Sequence, residues 1–74
     1  MQGRFHKELW TMRFQRMLDL ELRAAETYEF LLEECKQKEE EMSVQEELAK
    51  LVADEKKHAK LVQQLLEIVA KQAE

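Results

Sequence analysis

The 74-residue sequence has no proline and a single glycine, Gly3. It has one cysteine, Cys35, which excludes an internal disulfide and a Cys-x-x-Cys metal site. A lone thiol is compatible with a reducing compartment, so a cytoplasmic location is expected. No run of 18 apolar residues occurs, and no segment is expected to span a membrane. Residues Met1 to Lys7 lack the apolar core of a signal peptide. Twelve Lys and Arg stand against 16 Asp and Glu, a net charge of −4 with no basic cluster, which argues against nucleic acid as a partner. Charged residues make up 38% and apolar residues 45%. With helix breakers this scarce, that mixture at helical period reads as long amphipathic helices in one small domain, residues 1–74.

Two such helices are expected. From about residue 5 to residue 37, apolar side chains recur at alternating spacings of four and three: Trp10, Phe14, Met17, Ala24, Tyr28, Leu31 and Cys35. Leu9, Leu20, Ala25 and Leu32 widen this stripe, while Arg13, Arg16, Asp19, Arg23, Glu26, Glu33 and Lys36 form a solvated face. The stretch Lys36 to Met42 is polar. Ser43-Val44-Gln45-Glu46 then has the Ser-x-x-Glu form of a capping box, which places the start of a second helix near residue 44, running to about residue 71. The chain therefore reads as an all-α, antiparallel two-helix hairpin without a repeat or a linker.

Charged groups interrupt both seams at particular points. In the second helix the series is Val44, Leu48, Leu51, Glu55, His58, Val62, Leu65 and Val69. Glu55 and His58 lie three residues apart, about one helical turn, so a carboxylate and an imidazole share one face and can grip one metal ion. In the first helix Glu21 occupies the corresponding place between Met17 and Ala24. The two seams hold 16 positions, where random placement at 38% charged would put about six Asp, Glu, Lys or Arg residues. Only Glu21 and Glu55 are found, and a charge kept in an apolar seam is costly unless something pairs with it.

A hairpin of this length cannot cover both of its apolar stripes, and a homodimer packed as a four-helix bundle is the plain solution. Two-fold symmetry would gather Glu21, Glu55 and His58 from each copy, giving four glutamates and two histidines. That is the ligand set of di-iron and di-manganese carboxylate bundles, in which four carboxylates balance two divalent ions. Mixed carboxylate and imidazole ligation suits iron or manganese better than structural zinc. The expected complement is two Fe, or two Mn, per dimer.

The motifs also resemble a known family. Glu21-Leu22-Arg23-Ala24-Ala25-Glu26-Thr27-Tyr28 is similar to the first-helix motif of the rubrerythrin branch of the ferritin-like superfamily, where a liganding Glu is followed seven residues later by a Tyr. Asp54-Glu55-Lys56-Lys57-His58-Ala59 is similar to that family's second-helix Glu-x-x-His. The similarity covers about residues 17 to 66. It implies a di-iron site with Glu21 and His58 as terminal ligands, Glu55 bridging and Tyr28 close by as a catalytic-site neighbour. It implies a ferroxidase-type oxidoreductase acting in iron storage or oxidative-stress defence. Full members of that family carry four helices in one chain. The encapsulated ferritins build the site from two-helix chains across a dimer interface, and this chain resembles them in design. The partners implied are a second copy and an encapsulating shell protein, although no shell-targeting tail follows Ala73. Nor are the rubredoxin cysteines of rubrerythrin present.

Plainer readings stand beside these. Glu55 and His58 could form a buried ion pair or a surface pair. Glu26 is an alternative to Glu21 as ligand, though it points roughly 140° away on the helix. Tyr28, Trp10, Phe14 and Met17 read as core, Cys35 as a small buried apolar group, and His6 as surface. A metal-free hairpin that dimerises or clasps a partner helix is the alternative to a metalloprotein.

Overall fold

A computed structural model describes residues 6–73. Two helices, α1 (Lys7–Gln37) and α2 (Met42–Ala70), pack antiparallel along their whole length. They form a rod of 59 × 16 × 14 Å, one helix layer thick. Among the described residues there is no strand, and no helix is long and apolar enough to cross a membrane.

The turn falls at Lys38–Glu41, as the polar stretch predicts, but its chemistry differs from a capping box. Glu41, not Ser43, precedes the first residue of α2, and no side chain caps that end. Ser43 already lies inside the helix. The reversal is made instead at the end of α1. The Glu39 N–H donates to Lys36 O (3.2 Å) and the Glu40 N–H to Cys35 O (2.9 Å), while Glu39 takes a positive φ of 54°. This pair of bonds is a Schellman motif, whose left-handed position favours glycine. A non-glycine residue there costs about 1 kcal/mol. Glu39→Gly is therefore expected to stabilise the fold by roughly 0.5–1 kcal/mol, measured by chemical denaturation at fixed protein concentration.

The contact between the helices is narrower than the apolar stripe of either. Inward positions on α1 are Phe14, Leu18, Glu21, Ala25, Tyr28 and Leu32, and on α2 Leu48, Val52, Glu55, Ala59, Val62, Leu66 and Val69, all buried or half-buried. Leu18, Ala59 and Val62 form the centre, with Phe14 and Leu66 packed against it. The small side chains of Ala25 and Ala59, both buried, let the backbones approach near mid-length. At the termini, Lys7 Nζ donates to Ala70 O at 3.0 Å, satisfying a free carbonyl at the end of α2.

Several of the apolar residues left outside stand one position before an inward one: Met17 before Leu18 and Leu31 before Leu32 on α1, and Leu51 before Val52 and Leu65 before Leu66 on α2, all four exposed. One residue turns about 100° around a helix. In antiparallel helices the same backward step turns both stripes to the same side of the pair. The hairpin thus presents one open apolar face. Here the structure refines the expected seams. The 4,3 series through Leu51, His58 and Leu65 mixes two adjacent stripes, and these three residues face outward while Leu48, Glu55, Val62 and Val69 face in. Likewise Met17, expected in the core, is 43% exposed.

Candidate metal centre

Glu21 sits at the middle of α1 and Glu55 near the middle of α2, both on inward positions at the edge of the open face. His58 lies one turn along α2 from Glu55 and belongs to the outward stripe. The antiparallel pairing brings the three together, with one ligand atom from each within 4.8 Å of the others. The pairing of Glu21 with Glu55, 34 residues apart, needed a turn centred near residues 38–40, and the turn at Lys38–Glu41 supplies it. His58 Nδ1 is 3.5 Å from Glu21 Oε2. The His58 side chain is 54% exposed and that of Glu21 26% exposed. The cluster therefore lies with its carboxylates half-sunk and its imidazole open to the face.

The electrostatics of this cluster are unresolved within one chain. Glu21 Oε2 is buried and has no hydrogen-bond partner. Beside Glu21, the Glu55 carboxyl is raised above its ordinary value, first by a hydrogen bond that a shared proton makes with Glu21, then by loss of solvent and by the Glu21 charge; the neighbouring His58 opposes this. Two carboxylates can hydrogen-bond to one another only when a proton lies between them. A divalent ion fits this donor set: two carboxylates and an imidazole, all oxygen or nitrogen, on a rigid scaffold.

A consequence for the metal-free protein follows from the sign of the shift. A carboxyl whose folded pKa is raised favours the folded state when protonated, so its contribution is present below the ordinary carboxylate range and is lost as pH rises through the raised value. Metal-free protein is expected to gain thermal stability as pH is lowered from neutrality toward the carboxylate range. Glu55→Gln should flatten that dependence in a series of melting curves.

The remaining expected residues fall as follows. Glu26 is exposed and is not part of the cluster. Tyr28 is half-buried on an inward position, two turns and about 10 Å along α1 from Glu21. His6 is exposed, as expected. Cys35 is half-buried and lines an open groove of about 300 Å³ beside the turn, with Leu31, Glu34, Lys38, Glu40, Glu41 and Val44. This groove lies about 20 Å along α1 from Glu21, so it is separate from the cluster. Trp10 and Phe14 stack with centroids 5.5 Å apart, and the Arg13 guanidinium sits 5.0 Å over the Trp10 ring. Phe14 packs against the central cluster, and Trp10 lies one turn nearer the start of α1. Sequence reasoning did not anticipate the exposed Phe30 or the ion pair of Lys56 with Glu29 at 3.6 Å across the helices. The latter is exposed on both sides and contributes about 0–1 kcal/mol. Comparison with known proteins finds no family model, no curated protein and no solved structure that matches the chain, so a functional reading has to stand on the geometry of Glu21, Glu55 and His58.

Proposed function

We propose that this chain is half of a ferritin-like four-helix bundle, and that two copies hold a pair of iron or manganese ions between them. The observation that carries the reading is the orphaned Glu21 oxygen beside Glu55 and His58, on the edge of an uncovered apolar face. A single chain offers one cation three protein ligands. A second copy laid on the open face supplies the same three again, making the four-glutamate, two-histidine set of dinuclear carboxylate proteins. The face is large enough for that purpose. A 31-residue helix is about 46 Å long, and with the 16 Å width of the rod the face measures about 700 Å², close to the roughly 800 Å² per partner of a standard interface.

In this reading Glu21 and Glu55 supply negative charge that offsets two divalent ions, and His58 supplies a neutral nitrogen ligand from the outward stripe. Met17, Leu51 and Leu65 would close over the site when the second copy docks and exclude bulk water. Tyr28 would stand further along the same seam as a hydrogen-bonding neighbour. Iron held in such a set supplies oxidation of Fe(II) by dioxygen or peroxide, a ferroxidase-type activity suited to iron storage or oxidative-stress defence. The similarity of the Glu21–Tyr28 and Asp54–Ala59 segments to rubrerythrin and to the encapsulated ferritins supports the same conclusion, and with it an encapsulating shell as a further partner.

The test is to measure mass by light scattering, metal content by elemental analysis, and oxygen uptake on addition of Fe(II). A dimer or a multiple of it, two metal ions per dimer and oxygen consumption are expected. A folded monomer that binds no iron or manganese would instead leave the chain as a metal-free hairpin.

A further inference from the structure

Met17 stands on the open face, one turn before Glu21 on α1. It is 43% exposed, while Leu18 beside it belongs to the core. The matching position before Glu55 on α2 is Leu51, and the same outward stripes carry Leu31 and Leu65. Three of these four positions thus hold a leucine and one holds a thioether. Leucine and methionine fill an apolar interface about equally well. They differ in chemistry: a methionine sulfur takes up an oxygen atom, and a leucine has nothing to oxidise.

Two other methionines among the described residues supply a contrast. Met12 and Met42 are 66% and 64% exposed, more open to a dissolved oxidant than Met17. Neither lies on the open face. At about 100° per residue, Met17 falls about 100° to one side of Leu18 and Met12 about 120° to the other. Met42 falls about 100° from Ala59, on the side away from His58. An oxidant reaches all three sulfurs, but only at Met17 does the product sit on the surface that a second copy would cover. A sulfoxide oxygen accepts hydrogen bonds from water, and an apolar partner face laid over it removes that water.

We propose that Met17 is an oxidation site that decides whether two hairpins pair: a peroxide converts its thioether to the sulfoxide in the free hairpin, and the sulfoxide keeps the open face uncovered. The proposal rests on the dimer of the preceding reading and not on its metal. With hydrogen peroxide, a sulfur lone pair attacks one peroxide oxygen, the S–O bond forms as the O–O bond breaks, and water leaves. Sulfur is oxidised by two electrons and the peroxide is reduced by two. A methionine sulfoxide reductase reverses the step, removing the oxygen as water at the expense of a dithiol. Pairing and oxidation compete for the same side chain, because a second copy that covers Met17 also shields its sulfur.

The test compares methionines within one chain. Cys35→Ser protein, which lacks the thiol that peroxide also oxidises, is treated with hydrogen peroxide in EDTA at high dilution. After removal of the peroxide, the sulfoxide at each methionine is mapped by mass spectrometry. The dimer dissociation constant is then measured with EDTA and with Mn(II). Two sulfoxides per dimer, each weakening the pairing about tenfold, should raise that constant about a hundredfold. Sulfoxide reductase should restore it. Cys35→Ser/Met17→Leu, oxidised at Met12 and Met42, should keep the dissociation constant of its untreated form. Met17→Gln, a polar side chain of similar length, should weaken the dimer without peroxide. Native protein, re-reduced with a phosphine after treatment, gives the same comparison without a substitution at Cys35. As protein concentration is raised, oxidation of Met17 should slow relative to that of Met12. Full conversion of Met17 with the dimer unchanged, equal weakening of the Met17→Leu protein, or a rate ratio independent of concentration would overturn the proposal and leave the dimer standing. Untreated native protein that is a monomer with EDTA and with Mn(II) would overturn the preceding reading and this proposal together.

Discussion

Glu21→Ala is expected to abolish the binding of two metal ions per dimer, while Glu26→Ala leaves it nearly intact. The difference follows from position alone. Both residues are glutamates on α1, five apart, but Glu21 holds a buried oxygen without a hydrogen bond, 3.5 Å from His58 Nδ1, and Glu26 is exposed. In a two-fold assembly each single substitution acts twice, so Glu21→Ala removes two of four carboxylates and leaves two divalent ions with half their balancing charge. Titration with Fe(II) under nitrogen, or with Mn(II) in air, should show stoichiometry falling from two per dimer toward zero. The metal-free variant should melt no lower than the metal-free parent, because it loses an unsatisfied buried acceptor, which costs about 1–3 kcal/mol when left unpaired. Opposite effects on the loaded and metal-free protein separate a ligand from a packing residue. If Glu26→Ala lost the metal and Glu21→Ala kept it, the placement of α1 against α2 would be wrong.

Adding metal should raise the melting temperature by about 5–10 °C when the free ion exceeds its dissociation constant a hundredfold. An ion that binds only the folded assembly stabilises it by about 2.7 kcal/mol at that excess. For a two-chain assembly of this size, 1 kcal/mol shifts the midpoint by about 2–4 °C. The effect should be larger at neutral pH than near the carboxylate range, because a proton then competes for the space between Glu21 and Glu55, where the Glu55 carboxyl already binds it more readily than usual. His58→Ala should reduce the shift, and it should be lost in Glu21→Ala. Equal melting curves with and without Fe(II) or Mn(II) would favour the metal-free hairpin.

Two helices, their lengths and the turn between them were legible in the residues. Periodic apolar spacing needs no partner to be recognised, and the polar stretch Lys36–Met42 interrupts it once. The closeness of Glu21, Glu55 and His58 was legible too, because ionisable groups on or beside an apolar stripe stand out from the residues around them. The direction of each seam was not. Leu51 and Val52, or Met17 and Leu18, are adjacent in sequence, and a 4,3 count accepts either, since a stripe wider than one contact holds two overlapping series. Only packing against the other helix decides which member turns inward, and it chose Val52 and Leu18. The cap at Ser43 failed for a similar reason. A capping box is a local preference worth about 1 kcal/mol, and the Schellman bonds at Glu39 and Glu40 fixed the chain reversal one turn earlier. The net charge of −7 over Glu26–Glu47 (nine acidic and two basic side chains) is a block in the sequence itself, but the +3 of the other described residues (six acidic and nine basic) gathers at one end of the rod only because the antiparallel pairing returns the end of α2 to the start of α1. By itself the sequence determined which groups must be near an apolar seam; the tertiary structure decided which of them meet, because burial is a property of the neighbours that a side chain finds, not of its spacing along the chain.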